Sequence, residues 1–271
     1  MYELPGKSTN QDGSPLKSVF DEVGIPHQRK ESSSRDSHQS DFERRSSENA
    51  TRFGIEHGKK TPDEGLVISR LDKTRLHSRF VVDTESVDAV MISIEDARRL
   101  VDEGESAQTA YGSDVLVGVT TTIPDARLEW WYPQREIKII QKFNPDFYIP
   151  CDRPVYGGDT AEKRAGTIKR YLRDLTEVDA GLREYPVTLI PLVKGVTEVE
   201  RRRCYRRFQQ LNLDRWAYYC AQYFLYGNRG EELVKDVWAI ANEANKSNLI
   251  LIGLQSERYI SRMPSSVFAA A

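Results

Sequence analysis

The sequence predicts an α/β protein in which helices wrap a parallel sheet. Short apolar runs of strand length, such as 147–149 and 248–253, alternate with amphipathic segments of helix length, a pattern typical of parallel sheets. The run at 147–149 is followed by Asp152 and Pro154, which indicates the end of a strand. Residues 63–271 also match the size of one (β/α) barrel, which commonly fills roughly 200 to 250 residues.

Residues 1–62 form a separate, polar region at the amino end of the chain. The region is rich in serine and charged residues and has scarcely any aliphatic side chains to bury, so it cannot offset the entropy of ordering its backbone. We therefore expect a disordered tail at 1–62 and one folded domain at 63–271. His27, His38 and His57 have no ligand-like spacing, which favours solvated histidines over metal ligands.

Capping patterns predict where several helices begin. Ser93 precedes an amphipathic segment that ends at Gly104, as expected for a capped helix. Pro133 opens a helix at its first turn, Thr160 caps a long one, and Thr197-Glu-Val-Glu200 is a capping-box pattern. Strands are predicted at the apolar runs 80–82, 90–93, 113–120, 147–149, 185–194, 215–221 and 248–253.

Composition argues against several classes of protein. The net charge is −2 and the pI is about 6.2, so the chain is no polycation and a nucleic-acid contact needs a local basic patch. Cys151, Cys204 and Cys220 form no Cys-x-x-Cys pair, which argues against a zinc site or disulfide framework and favours a reduced, cytoplasmic setting. The sequence shows no apolar run of about 18 residues, no leader and no glycine-rich phosphate loop, so we expect neither a membrane span nor a cofactor.

The predicted strand ends place candidate site residues at one rim, because the carboxyl ends of parallel strands lie together. Asp83 and Asp152 each follow an apolar run, and Lys194 with Gly195 ends another. Two carboxylates in one pocket can serve as a general base and as a hydrogen-bond acceptor for a purine-like heterocycle. For Asp152, a cap on the following turn is an equally simple alternative. The same rim would also carry Gln222 and Gln255.

Two further groups of residues could contact nucleic acid. Five arginines lie between Arg201 and Arg207, but on a helix they point in several directions, so a solvated face is favoured over a phosphate-contacting one. Aromatic side chains could stack on a nucleobase, although they more often belong to the core. These are Trp130, Trp131, Tyr218 and Tyr219.

Motifs between residues 79 and 260 follow one another in an order that resembles one superfamily. Arg79-Phe-Val-Val-Asp83 is similar to a strand ending in Asp-Ser-Gly-Gly-Phe-Gln, without its glycines and glutamine. The segment 132–141 with 146–152 is similar to a Ser-Pro-Glu helix and a strand ending in Phe-Asp-Glu. Residues 190–195 are similar to a strand that ends in Ile-Val-Gln-Gly in the same superfamily. Residues 216–222 and 249–253 resemble the two strands that come after it there. The set resembles the tRNA-guanine transglycosylase superfamily, and its DNA 7-deazaguanine transglycosylase branch in particular.

The resemblance implies a TIM-type (β/α) barrel, either complete or lacking strands, and a glycosyltransferase. Its reaction would exchange guanine in DNA for a 7-deazaguanine base through a covalent sugar–enzyme intermediate. By the match, Asp83 is the catalytic general acid/base and Asp152 recognises the incoming base. Lys194 and Gly195 would border the pocket, and Tyr156 would flank the base. Expected partners are DNA, the deazaguanine base and further proteins of a DNA-modification system; no cofactor or metal is expected.

The sequence also departs from the family pattern. The family's nucleophilic aspartate lies on the strand after 249–253, and the sequence predicts no such strand before residue 271. A zinc site of three cysteines and a histidine is likewise missing. The chain would therefore need a partner, or Asp152 or Asp88 would take the nucleophile's role. The alternative functions are base exchange in tRNA and a non-catalytic accessory or nucleic-acid-binding subunit on a degenerate barrel.

Overall fold

The computed structural model describes residues 66–71, 81, 87–225, 227–244, 248–254 and 256–271, together with the backbone of two short strands, Ile55–Glu56 (β1) and Lys59–Lys60 (β2). These two strands pair in antiparallel fashion. The rest of the region 1–62, for which a disordered tail is expected, lies outside the described residues, and so do Asp83 and Gln255.

From β5 onward, helices separate each strand from the next in chain order. The strands are β3 Leu66–Val67, β4 Ser69–Arg70, β5 Ala89–Ser93, β6 Leu116–Thr120, β7 Phe147–Ile149, β8 Thr188–Leu189, β9 Arg215–Tyr219, β10 Asn248–Ile252 and β11 Val267–Ala270. Eight α-helices lie in the described part: α1 Ile94–Asp102, α2 Ala107–Tyr111, α3 Asp125–Leu128, α4 Pro133–Phe143, α5 Ala161–Leu182, α6 Glu198–Gln210, α7 Gly230–Ala244 and α8 Glu257–Ile260. A short 3-10 helix, Ala221–Tyr223, follows β9.

The strands from β3 onward form two parallel sheets, in the orders β4-β5-β6-β7-β8 and β3-β11-β10-β9. This arrangement confirms the predicted α/β class. Backbone hydrogen bonds also join the sheets at both edges. Ile68, between β3 and β4, donates to Ala270 O at 2.8 Å, and Val193 donates to Ala217 O at 2.8 Å.

Local sequence signals explain where the helices begin. The Ser93 hydroxyl accepts a hydrogen bond from the Asp96 N–H at 3.1 Å, and Thr197 and Glu200 form the capping box. Thr160 caps α5, and Pro133 is the first residue of α4. The helix predictions based on these residues are confirmed, because each signal acts within one turn of the chain.

The core lies between the parallel strands and the helices that cover them. All five residues of β6 and all three of β7 are buried, as expected for strands covered on both faces. Gly118 of β6 faces Phe147 of β7, and a Cβ at Gly118 would lie 2.0 Å from the Phe147 ring. Glycine at 118 therefore makes room for a buried aromatic ring.

Two strand expectations need correction. A strand does follow β10: β11 pairs with β10 on one side and with β3 on the other. Ala269 and Ala270, half of this short strand, have weak intrinsic strand preference, so pairing on both edges decides its conformation. In the run at 80–82, predicted as a strand, Val81 is helical and buried. In the described part of the chain, no helix combines the length and apolar character needed to cross a membrane.

Candidate functional site at the carboxyl ends of the strands

Asp152 and Lys194 meet beyond the carboxyl ends of β7 and β8. Lys194 Nζ donates to Asp152 Oδ1, and the two side chains are only 10% and 11% exposed. The Asp152 N–H donates to Thr121 Oγ1 at 2.8 Å, and the Thr121 hydroxyl in turn donates to Ile149 O at 3.1 Å. Among the described residues no group donates to Asp152 Oδ2, so this oxygen can accept a hydrogen bond from a ligand.

Tyr219 and Arg70 lie near this ion pair. Tyr219 ends β9 and is half-buried; burial raises the pKa of its phenol, Arg70 opposes the rise, and the charges of Asp152 and Asp125 add to it. Arg70 ends β4 and donates to Thr122 O at 2.7 Å. Polar side chains at the carboxyl ends of β4, β7, β8 and β9 thus lie in the region around Asp152.

Tyr156 lies on the loop between β7 and α5 and is 49% exposed. Its hydroxyl donates to Asp125 Oδ2. Burial, this hydrogen bond and the charges of Asp125 and Asp152 raise the pKa of Tyr156 above its usual value. The aromatic ring is thereby held at the edge of the region around Asp152, with its phenol protonated at neutral pH.

Gly195 shapes the backbone between β8 and α6. Its φ is +123°, and a Cβ there would lie 2.7 Å from Glu200 Cβ and 2.9 Å from Arg201 N. Only glycine fits both the backbone conformation and the contact. We therefore interpret Gly195 as the residue that lets the chain turn from Lys194 into α6.

A buried carboxyl group supports the backbone immediately before Asp152. Glu136 of α4 is 1% exposed and accepts from Tyr148 Oη at 2.6 Å and from Cys151 N at 3.2 Å. Burial raises the pKa of Glu136, although these hydrogen bonds and Arg153 oppose the rise. Cys151 has φ of +56°, and its hydrogen bond to Glu136 stabilises this turn. The backbone at Cys151 is therefore fixed one residue before Asp152.

Sequence reasoning missed Glu136, although a periodic signal was present. Pro133, Glu136, Ile140 and Phe143 are the buried residues of α4, whereas Ile137 and Ile139 are only half-buried. Their spacing of three and four residues describes one helix face, and a polar residue on that face indicates a buried hydrogen-bonding partner.

The arginine-rich helix α6 divides into buried and exposed residues. Arg201 pairs with Glu243 of α7, and Tyr205 Oη donates to the same carboxylate at 2.8 Å. Arg202 pairs with Glu198 on the same helix, and Arg203 and Arg206 are exposed. Arg201 therefore joins two helices, and only the exposed arginines are open to a phosphate.

Gln222, Asp88 and β11 differ in how they lie relative to this region. Gln222 lies in the 3-10 helix, where its Nε2 donates to Tyr219 O at 3.4 Å. Asp88 precedes β5, at the amino end of that strand, so it lies away from Asp152 and cannot take the nucleophile's role beside it. β11 ends at Ala270 and carries no carboxylate.

The described residues contain no cluster of three or more histidine, cysteine, aspartate or glutamate side chains that could hold a metal. Cys151, Cys204 and Cys220 are free and buried.

No protein-family model matches the sequence, and no curated protein matches it significantly.

Proposed function

We propose that the chain is a glycosyltransferase of the transglycosylase type that exchanges a guanine base in DNA for a 7-deazaguanine base. The observation that carries this proposal is the Asp152–Lys194 pair, held nearly buried beyond the carboxyl ends of two parallel strands. Binding sites in parallel α/β proteins lie at that end of the strands.

We further propose that the two sheets form one TIM-type (β/α) barrel. The segment from β3 to β4 pairs with β11 and with β5, and the segment from β8 to Val193 pairs with β7 and with β9. These pairings support a closed ring of eight parallel segments. In order, the segments are 66–70, 89–93, 116–120, 147–149, 188–193, 215–219, 248–252 and 267–270.

The ion pair suits the lactam edge of a guanine-like base, which presents one N–H donor beside one carbonyl acceptor. Asp152 Oδ2 can accept from the ring N–H, and the Lys194 ammonium has further N–H groups to donate to the carbonyl. We propose that Tyr219 and Tyr156, whose phenols both feel the charge of Asp152, contact the ring faces of the base. Base recognition by Asp152 and Lys194 is the part of the proposal that the described residues support most directly.

The covalent chemistry is assigned through the resemblance. Asp83 is proposed as the general acid/base, and it lies outside the described residues. The three buried free thiols suit a reducing cytoplasm, where we place the protein together with other proteins of a DNA-modification system.

A second candidate function is a non-catalytic subunit that binds a nucleobase or nucleic acid. β11 occupies the position in chain order at which the resemblance places the nucleophilic strand, and its last two residues are Ala269 and Ala270. An exchange reaction would then need a nucleophile from elsewhere, such as a partner chain.

Incubation of the purified protein with radiolabelled 7-deazaguanine base and either DNA or tRNA tests the proposal. We expect label in DNA with the native protein and none with Asp152→Asn, because an amide nitrogen presents a donor where the base needs an acceptor. Asp179→Asn is the matched control, since Asp179 pairs with Arg183 near the end of α5, at the opposite end of the strands. Label in tRNA alone would contradict the DNA substrate, and base binding without transfer to either would favour the second candidate.

A further inference from the structure

A cleft of about 430 Å³ lies between α1 and the segment from α3 to α4. Its lining combines three arginines, one glutamate and two tryptophans: Glu95, Arg98, Arg127, Trp130, Trp131 and Arg135. The volume falls within the range typical of small-ligand sites. We call this feature the Arg–Trp cleft.

The two tryptophans of the Arg–Trp cleft have different environments. Trp131 is 4% exposed and packs in the core, whereas Trp130 is 69% exposed. Arg135 connects them: its guanidinium lies 4.8 Å from the centroid of the Trp131 ring and donates to Trp130 O at 2.9 Å. Arg135 thereby positions the backbone that carries an exposed indole, and this indole offers a flat apolar surface to solvent.

The charge of the cleft is positive and only partly compensated. Arg127 pairs with Glu95 at 2.6 Å. Among the residues that the structure describes, Arg98 has an exposed contact of 3.9 Å with Asp102, and Arg135 donates to a backbone carbonyl. Three arginines against one glutamate leave the lining with a net charge of +2. An anion at the cleft would therefore meet Arg98 and Arg135.

We infer that the Arg–Trp cleft binds a single-stranded segment of nucleic acid, with one base stacked on Trp130 and a neighbouring phosphate contacted by Arg98 and Arg135. Exposed aromatic side chains next to arginines are the common means of holding unpaired bases, because every base offers a π-face. In a duplex those faces are covered by neighbouring base pairs, so Trp130 selects the unpaired strand.

The cleft is connected to the site around Asp152. Asp125 accepts the hydrogen bond from Tyr156, and Arg127 follows two residues later on the same helix, α3. A strand held on Trp130, two residues after α3, would therefore lie close to the helix that Tyr156 contacts. That this strand supplies the base to be exchanged rests on the proposed function, whereas binding in the cleft does not.

Fluorescence anisotropy with a labelled oligothymidylate of about 12 nucleotides tests the inference. We expect Trp130→Ala to weaken binding roughly 5- to 150-fold, the loss measured when a base-stacking aromatic is truncated. Arg98→Ala should lower the slope of log K against log salt concentration by about 0.7, the value for one phosphate contact on a single strand.

Two matched controls isolate the stacking contact. Trp238→Ala removes an indole that is 46% exposed on α7, outside the cleft, and should leave affinity within about 2-fold of the native protein, as for a residue that does not contact the strand. An abasic oligonucleotide of equal length keeps its phosphates and loses its bases, so its binding should not respond to Trp130→Ala. Circular dichroism would show that the Trp130→Ala protein remains folded, as expected for an exposed side chain.

Three results would overturn the inference: equal affinity of native protein and Trp130→Ala, equal losses for Trp130→Ala and Trp238→Ala, or tighter binding of duplex than of single strand. Equal affinity of the native protein and Trp130→Ala would mean that the cleft binds nucleic acid only as a non-specific polyanion. Asp179→Asn, whose side chain pairs with Arg183 away from both sites, should bind the oligonucleotide like the native protein. The two proposals can therefore fail separately. Failed base exchange with Trp130-dependent binding would contradict the proposed function and support nucleic-acid binding in the cleft. Active exchange with Trp130-independent binding would support the proposed function and contradict binding in the cleft.

Discussion

Lys194 and Asp152 are 42 positions apart in the chain, yet they form an ion pair in which each side chain is only about one-tenth exposed. Removing two charges from water is costly, and their attraction compensates only when the geometry is good and further hydrogen bonds are present. Such a pair is a weak contributor to stability as a unit, but each partner depends strongly on the other.

Lys194→Met is expected to destabilise the protein by about 3 kcal/mol, because it leaves a nearly buried carboxylate without its cation. The double variant Asp152→Asn/Lys194→Met should recover most of that loss. Urea unfolding at neutral pH measures both. Lys163→Met is the control: Lys163 pairs with Asp159 but is 66% exposed, so its loss should stay within about 1 kcal/mol. Additive effects of the two site variants would contradict the coupling.

Gly195→Ala should destabilise the protein by about 1 to 3 kcal/mol, because the new Cβ meets Glu200 and the backbone φ of +123° is strained for alanine. Gly166→Ala on α5 is the opposite case, since a Cβ there meets nothing within 4 Å. It should stabilise by about 0.5 to 1 kcal/mol through helix propensity. Thermal unfolding of the two variants should therefore shift in opposite directions, and a shift in the same direction would refute the assigned role of Gly195.

Arg201→Ala and Arg202→Ala, one position apart on α6, should differ sharply. Burial tends to raise the pKa of Glu243, but hydrogen bonds from Arg201 and Tyr205 outweigh it and the net direction is down. The pair therefore stabilises the fold above the ordinary glutamate pKa, and that contribution is lost as pH falls through the lowered value. At pH 7 we expect a loss of about 3 kcal/mol for Arg201→Ala and at most about 1 kcal/mol for Arg202→Ala, whose pair with Glu198 is exposed. Similar losses for both would show that Arg201 does not join α6 to α7.

Glu136→Gln should change how stability depends on pH. Burial raises the pKa of Glu136 above its ordinary value of 4.5, so between the two values the folded protein binds a proton that the unfolded chain has released. The free energy of unfolding therefore falls as pH rises from about 4.5 through the raised pKa. Glutamine keeps an acceptor for Tyr148 and Cys151 and cannot ionise. Urea unfolding at pH 5 and pH 8 should show a smaller decline for Glu136→Gln than for the native protein; identical declines would contradict this account.

The sequence by itself determined the features that depend on neighbouring residues. Ser93, Pro133 and the Thr197–Glu200 capping box act within one helical turn, so the helix starts follow from them. The α/β class follows from the alternation of apolar runs and amphipathic segments. The placement of Asp152 and Lys194 after strands also follows, because strand direction alone brings their ends to one side.

Only the tertiary structure decided what depends on contacts between distant residues. β11 is a strand because β10 and β3 pair with it on both sides, which its alanines do not indicate. Glu136 is buried because Tyr148 and Cys151 supply donors, and Arg201 differs from Arg202 because Glu243 lies opposite one of them. The ion pair of Lys194 with Asp152 belongs to the same group. Local signals cannot encode such contacts, since the free energy of a buried polar group depends on which partner the fold brings to it.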